Sequence, residues 1–280
     1  MKMIHIVTDS TAELTEAEQK EYGIHVVPLN IFIDGKSYVD RVDLQPDEFL
    51  DLMRTSEQLP KSSQPAVGVL KELYDELGKD GDSVISIHMT GGMSGTVKAA
   101  AQAASMTDTD VTVIDSEYIS FALGFQAKEA ALAAKAGKTV EEVVAKVEEV
   151  KRNTTLFVVV DTLDNMVKGG RIGKGKAMLG SLLNIKPIAR LDDGVYTPVG
   201  KARSYKQVAS QLFKMFEEDI EGKRVKGVAI PHANGLKMAN PLKEKIDALN
   251  LGVEVAVAIT TPIVSTHTGE GAIGFMYYTE

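Results

Sequence analysis

The chain contains no cysteine. That absence excludes disulfides, thiolate metal sites and a cysteine nucleophile. Tryptophan is also missing, and aromatic residues make up only 6% of the chain. The interior must therefore be built mainly from Val, Ile, Leu, Ala and Met, which fill an ordinary core and can equally line a tunnel for an aliphatic ligand. No apolar run approaches the ~20 residues needed to cross a bilayer. The segment Met1–Asp9 reads as a first strand without the apolar stretch and cleavage site of a signal peptide, so a cytoplasmic protein is expected. Positive charge is in short supply: 31 Lys and Arg stand against 39 Asp and Glu, a formal net charge of −8. A nucleic-acid partner is disfavoured, because a duplex binder needs a basic footprint.

Catalytic and metal signatures are equally scarce. The five histidines, at 5, 25, 88, 232 and 267, never fall at the i, i+4 spacing of a zinc helix. No G-x-S-x-G elbow occurs. Two nucleotide-like signatures fail on context. Gly170–Ala177 matches G-x-x-x-x-G-K but ends in alanine where a Mg²⁺-binding hydroxyl is needed, and a helical pattern precedes it rather than a strand. Gly269–Gly274 matches G-x-G-x-x-G with only six residues following, too few for a βαβ unit. No catalytic residue, metal or cofactor is expected.

What remains is a folded chain of 280 residues, 44% hydrophobic and 25% charged, sized for one large or two ordinary domains. Strand patterns at Met3–Thr8, Ile24–Ile33, Ser83–His88 and Val111–Ile114 alternate with helical ones, which predicts a mostly parallel sheet with flanking helices. The helices expected are one capped by Thr15 and Glu18 and stopped by Gly23, then Pro65–Leu77, Val97–Ser105, Glu117–Ala136 and Val140–Arg152, the last capped by Thr139 and Glu142. The pattern then changes. A strand at Thr155–Val160 and a short helix at Leu163–Lys168 precede a hairpin, Ile185–Leu191 and Val195–Lys201, about Asp192-Asp-Gly194. Helices at Tyr205–Glu218 and Leu236–Ala248 and strands at Val225–Ile230, Val253–Ile259 and Ala272–Tyr278 complete an α+β half with a mixed sheet. The fold class is α/β with two α/β domains, divided as 1–152 and 153–280, and a site at their interface.

The segment richest in chemistry is His88-Met-Thr-Gly-Gly-Met-Ser-Gly-Thr96, where a strand runs into a glycine- and hydroxyl-rich turn that opens a helix. Free backbone N–H groups and the positive end of the helix dipole meet there. Gly91, Gly92 and Gly95 admit close approach, and Ser94 and Thr96 add donors. The turn reads either as a seat for a carboxylate or phosphate or as a tight βα turn with Ser94 as its N-cap. Lys61-Ser-Ser-Gln-Pro65 offers Ser62 and Ser63 just before a helix, as ligand groups or as an N-cap. Ser265–Ala272 sets His267 beside Thr268 in a loop with two glycines. Arg171 and Arg203 stand in or beside loops, and Thr8-Asp-Ser10 and Asp115-Ser116 end strands where α/β sheets place ligands.

Taken in order, Val7-Thr-Asp-Ser-Thr11, Ser62-Ser-Gln-Pro65, Met93-Ser-Gly-Thr96, Val113-Ile-Asp-Ser116, Lys168-Gly-Gly-Arg-Ile172, Asn184-Ile-Lys-Pro187 and His267-Thr-Gly-x-Gly-Ala272 resemble the DegV family across nearly the whole chain. The resemblance implies a two-domain α/β protein that binds one long-chain fatty acid as its ligand. It resembles the lipid-carrier subunit of a bacterial fatty acid kinase. Such a subunit is not an enzyme by itself: the partner kinase phosphorylates the bound carboxylate, and the carrier holds the acyl-phosphate for phospholipid synthesis, with an acyltransferase as a further partner. Carried over by position, Ser62 and Ser94 would bond the carboxylate, with Ser63, Gly95, Thr96 and Thr268 around them and His267 in the same network. Arg171 and Arg203 would face phosphate or kinase at the pocket mouth. The chain departs from the family pattern at Ser62, usually Thr, and at Glu270, usually Pro, where a charge and flexibility are added to the His267 loop. A dihydroxyacetone-type kinase, whose fold is similar in part, and a binding module for another anionic metabolite are the alternatives.

Overall fold

The computed structural model describes residues 2–178 and 185–280. Along the first half run β1 (Ile4–Asp9), α1 (Glu16–Tyr22), β2 (Ile24–Val27), β3 (Asn30–Ile33), β4 (Lys36–Val39), α2 (Pro46–Thr55), β5 (Lys61–Ser63), α3 (Val67–Leu77), β6 (Ser83–His88), α4 (Thr96–Ala104), β7 (Asp110–Asp115), α5 (Phe121–Lys135) and α6 (Val140–Arg152). The second half holds β8 (Thr154–Val159), α7 (Asp164–Gly169), β9 (Lys186–Asp192), β10 (Val195–Ala202), α8 (Tyr205–Ile220), β11 (Val225–His232), α9 (Leu236–Asp247), β12 (Val255–Ile259), α10 (Pro262–Thr268) and β13 (Ile273–Thr279).

Three sheets result. Strands β2-β1-β6-β7 form a parallel sheet, as the alternating pattern predicts. Strands β10-β9-β8-β13-β11-β12 form a mixed sheet, antiparallel except for the β11/β12 pair. The third sheet, β4-β3-β5, is small and antiparallel, and the sequence pattern did not predict it. It arises because the expected strand Ile24–Ile33 is two strands. Pro28 has no N–H to continue the ladder. The next amide, Leu29 N–H, donates instead to Ser10 Oγ at 3.1 Å. β3 then leaves the parallel sheet and pairs with β5, setting Ile31 opposite Ser62.

Other boundaries move for local reasons. The helix expected from Glu117 begins at Phe121, because Glu117 and Ser120 take left-handed φ values of 58° and 63° and turn the chain first. The helix expected from Pro65 begins at Val67 with Ala66 as its cap, since Lys61–Ser63 is drawn into β5. Helix α2, headed by Pro46, was not expected. The capping boxes at Thr15 and Thr139 form as their residues dictate. The hairpin turns at Asp193 and Gly194, with φ of 48° and 73°. Its expected first residues abut 179–184, and Asn184 of the family-like motif lies outside the described residues.

Helix α5 joins the halves. It is Ala-rich and buried over most of its circumference, and it packs against β1 of the parallel sheet and β13 of the mixed sheet. The largest apolar cluster accordingly runs from Ile6 and Ile85 through Leu123 to Leu156 and Met276. Smaller clusters lie under α8 and α9 in the second half and between α3 and α4 in the first.

Candidate functional site

Ligands of open parallel sheets gather beyond the carboxyl ends of the strands. There, past β6, lies a cavity of about 250 Å³. All three sheets contribute to its wall: Ser62 and Ser63 from β5, Met89, Met93, Ser94 and Gly95 from the turn after β6, Val158 from β8, and Leu191 and Tyr196 from the hairpin. Ile263, Val264, His267 and Thr268 of α10 close another side, with Leu29, Gln64, Ile119, Met166 and Arg171 completing the wall. Half of these lining residues are aliphatic or methionine.

The polar members are linked to one another. Ser62 Oγ lies 2.7 Å from His267 Nε2. His267 Nδ1 faces the backbone of Gly169, where a Cβ would stand 2.5 Å from it, so only glycine leaves room for the ring. Arg171 ties the two halves together: its Nε donates to Met93 O at 3.0 Å, and Nη1 donates to Gly169 O. Gly95 meets the Gln64 side-chain amide so closely that any Cβ would overlap it. Ser94 Oγ pairs with Thr96 Oγ1 at 2.8 Å and accepts from Thr96 N–H at 3.3 Å.

Burial drives the His267 pKa down to about 4, with the nearby Arg171 guanidinium adding to the effect. The imidazole is therefore neutral at pH 7. Its Nδ1 has no hydrogen-bond partner among the described residues. A neutral imidazole has one N–H, and which nitrogen carries it is set by its partners. If Nε2–H donates to Ser62 Oγ, the serine hydroxyl proton is free to be donated into the cavity. A bound carboxylate selects that tautomer, because it accepts and cannot donate. The site thus offers an anion neutral donors beside the Arg171 guanidinium in the same wall. The Tyr196 hydroxyl is buried in the same wall and has no partner among the described residues.

Of the nine residues singled out by sequence, the structure brings seven to the cavity: Ser62, Ser63, Ser94, Gly95, Arg171, His267 and Thr268. Thr96 is fully buried beneath Ser94 and supports it instead of facing the cavity. Arg203 is exposed at the start of α8, where its backbone N–H donates to Gln207 Oε1 at 2.8 Å, and it does not line the cavity. Ser94 is not the helix cap, since Gly95 takes that place. His267 and Thr268 stand in the last turn of α10, not in a loop. Thr261, Pro262 and Gly269 were the available signal for it: an N-cap, a proline at the first helical position and a glycine stop. The Thr268 hydroxyl donates back to Val264 O at 3.0 Å. Glu270 does not loosen this region, because its carboxylate accepts from Arg54 Nη2 at 2.8 Å and Asn234 Nδ2 at 2.7 Å. The apolar wall, from Leu29 to Val264, was not legible as a set, since nothing in a linear pattern distinguishes it from ordinary core.

The strand ends Asp9 and Ser116 serve structure. Asp9 accepts from Met89 N–H at 2.9 Å and contacts His88 Nδ1 at 3.1 Å, while His88 Nε2 lies 2.8 Å from Ser86 Oγ. This Asp-His-Ser order resembles a hydrolytic triad, but all three side chains are sealed from solvent and from the cavity. The network fixes the turn that carries Ser94. No helix among the described residues is long and apolar enough to cross a membrane.

Fold and cavity together define an α/β protein with a mostly apolar pocket. The model described as "Uncharacterised protein, DegV family" matches residues 3–280. A DegV domain-containing protein of Listeria monocytogenes is 42% identical over 281 residues, covering 100% of both chains. A DegV family protein from Thermus thermophilus, described by its fatty acid binding, superposes with a TM-score of 0.93 at 31% identity, covering 99% of this chain and 100% of that one. DegV of Bacillus subtilis, described as a fatty acid binding protein, gives a TM-score of 0.92 at 35% identity, covering 100% of both. The chain belongs to the DegV family.

Proposed function

We infer that this chain binds a long-chain fatty acid in the cavity beyond β6. The observation that carries the inference is the pairing, in one cavity, of a linked polar group (Ser62, His267, Arg171) with a wall half of whose residues are aliphatic or methionine. The fatty acid binding of the Thermus and Bacillus relatives supports it. The acyl chain supplies affinity: each buried methylene is worth roughly 0.8 kcal/mol, on the order of 10 kcal/mol for a sixteen-carbon tail before ordering costs. The carboxylate sets orientation against Ser62, Ser94 and the head-group turn, with Ser63, Gly95, Thr96 and Thr268 shaping the seat.

In our reading the chain is a carrier and not an enzyme by itself. Hydroxyls hold a carboxylate without supplying a nucleophile, so one carboxylate oxygen stays available to a kinase. Phosphoryl transfer from ATP then forms the acyl-phosphate bond as the bond to ADP breaks. Arg171 in the wall and Arg203 outside it would face phosphate and kinase. Residues 1–152 and 153–280 form two domains with the ligand site at their interface, in the cytoplasm, with an acyltransferase consuming the product. Mass spectrometry of a solvent extract of the purified protein, followed by titration with palmitate, tests the reading. Co-purified or stoichiometrically bound fatty acid supports it. A clean extract and no binding overturn it. Incubation of the loaded chain with ATP and a fatty acid kinase tests the carrier role, which fails if no acyl-phosphate forms.

A further inference from the structure

The tip of a hairpin ordinarily stands in water. That of β9 and β10 does not. Gly194 is buried, at φ 73°, against two turns of the first half. A Cβ there would overlap Thr90 Oγ1, after β6, and lie 3.5 Å from Glu117 Cα, after β7. The approach is as close from the other side, where a Cβ on Gly92 would stand 2.6 Å from Gly194 O.

Thr90, 1% exposed, organises this junction. Its N–H donates to Tyr118 O at 2.8 Å, which ties the turn after β6 to the turn after β7. Its carbonyl accepts from Met93 N–H at 3.1 Å and from Ser94 N–H at 3.2 Å. Its hydroxyl accepts from Gly92 N–H at 3.0 Å and donates its one proton to Gly194 O, also at 3.0 Å. Gly91 N–H donates to Asp115 Oδ2 at 3.1 Å. The amides of Gly91, Gly92, Met93 and Ser94 are therefore all bonded within the protein, and they are not the free donors that the sequence pattern suggests. What this part of the turn gives a ligand is the placement of its side chains, and Thr90 holds three of the four amides that set it.

The two elements that Thr90 joins both wall the ligand cavity. Met93 and Ser94 come from the turn, Leu191 and Tyr196 from the hairpin. Arg171, itself in the wall, makes a separate bond to the turn at Met93 O. Thr90 does not line the cavity, so its effect on a ligand must pass through these neighbours.

We propose that Thr90 is a positioning residue of the ligand site: its single hydroxyl seats the hairpin tip on the Ser94 turn, and so sets how two walls, one from each half of the chain, stand to each other across the ligand. Valine has nearly the shape of threonine, but it can neither accept from Gly92 nor donate to Gly194. It leaves the carbonyl of a buried residue without its partner, which costs the desolvation of that group. The hairpin tip then eases away from the turn, Leu191 and Tyr196 move with it, and the ligand leaves faster. Serine keeps both bonds and keeps the seat.

The proposal rests on the acyl-binding reading for its effect on a ligand and not for the seating of the hairpin, which ligand-free protein reports by itself. Wild type, Thr90→Val, Thr90→Ser and Gly194→Ala are compared. One measurement is the amide NMR spectrum and hydrogen exchange of ligand-free protein. The other is the release rate of an anthroyloxy-labelled fatty acid. Thr90→Val should open the Gly92 amide to exchange, shift the Leu191 and Tyr196 resonances across the junction and quicken release about tenfold, as the loss of one or two neutral hydrogen bonds predicts. Amides of β1 and β6 should stay protected. Thr90→Ser should restore the Gly92 protection, the hairpin resonances and the slow release. Gly194→Ala breaks the same contact from the hairpin side and should quicken release to a similar degree. In the double variant the two effects should not add, because one contact is lost in both. The proposal is overturned if Thr90→Val leaves the Leu191 and Tyr196 resonances in place, if it lowers Tm while the folded protein releases the probe at the wild-type rate, or if Thr90→Ser behaves like Thr90→Val. Should Thr90→Val not fold, Gly194→Ala decides by the same readouts. A probe that binds no variant, wild type included, removes the acyl-binding reading, and the ligand-free spectra still decide the seating.

Discussion

Ser62 and His267 are 205 residues apart in the chain, and their side chains meet at 2.7 Å. One stands on a three-residue strand of the smallest sheet, the other in the last turn of a seven-residue helix. Their contact closes the polar part of the cavity.

Removing a hydroxyl from this group should cost little but measurably. Ser62→Ala or Ser94→Ala should weaken palmitate binding by about 0.5–1.5 kcal/mol, the usual worth of a neutral hydrogen bond. Isothermal titration of both variants would check it. Loss of all binding would mean that the head group, and not the tail, supplies the affinity.

Gly169→Ala should be more damaging than its size suggests. The added Cβ would stand 2.5 Å from His267 Nδ1. The ring must move, and the Ser62 contact opens. Overpacking of this kind typically costs about 1–3 kcal/mol. Binding affinity together with the His267 NMR shifts would report it, and unchanged shifts would contradict the geometry.

His267 also gives a pH dependence with a definite sign. Its folded-state pKa lies near 4, below the ordinary 6.5. Between those values the unfolded chain binds the extra proton, so the stability associated with a neutral buried imidazole is present above about pH 6.5 and is lost as pH falls toward 4. Asp40 works in the opposite direction. Burial raises its pKa from 3.8 to about 7, so the folded state binds more protons in that window and stability declines as pH rises through it. Melting curves should therefore show His267→Gln flattening the acid side and Asp40→Asn raising Tm above neutrality.

Arg171→Ala should let the His267 pKa rise, because a neighbouring positive charge that opposes protonation has gone. It also removes the side-chain bridge between Met93 O and Gly169 O. An NMR titration of the imidazole would show an upward shift. An unchanged midpoint would mean that burial alone sets it.

Val158 borders the ligand cavity and a second one of about 30 Å³. Val158→Phe should fill space at this shared wall and penalise long acyl chains more than octanoate, by about 0.8 kcal/mol for each methylene kept out. Equal losses for both acids would place the tail elsewhere.

Much of this architecture is written locally. Thr15 and Thr139 cap their helices through residues three positions away, and Asp193-Gly194 turns its hairpin through its own backbone preferences. The glycine-rich turn after β6 shows its character in nine consecutive residues. Such features depend on neighbours a few residues off, so a sequence can declare them. Short-range chemistry also favoured α10, through Thr261, Pro262 and Gly269, although the glycines around His267 suggested a loop.

The sequence by itself determined the alternation of strands and helices, the helix caps, the hairpin, the absence of thiol chemistry and most of the polar residues that line the cavity. Tertiary structure alone decided that Ser62 meets His267, that Arg203 stays outside while Arg171 joins the wall, and that aliphatic residues from distant segments leave a space instead of filling it. Periodicity records which face of an element is apolar. It does not record whether that face packs against side chains or a void, because a void depends on elements brought together from distant parts of the chain.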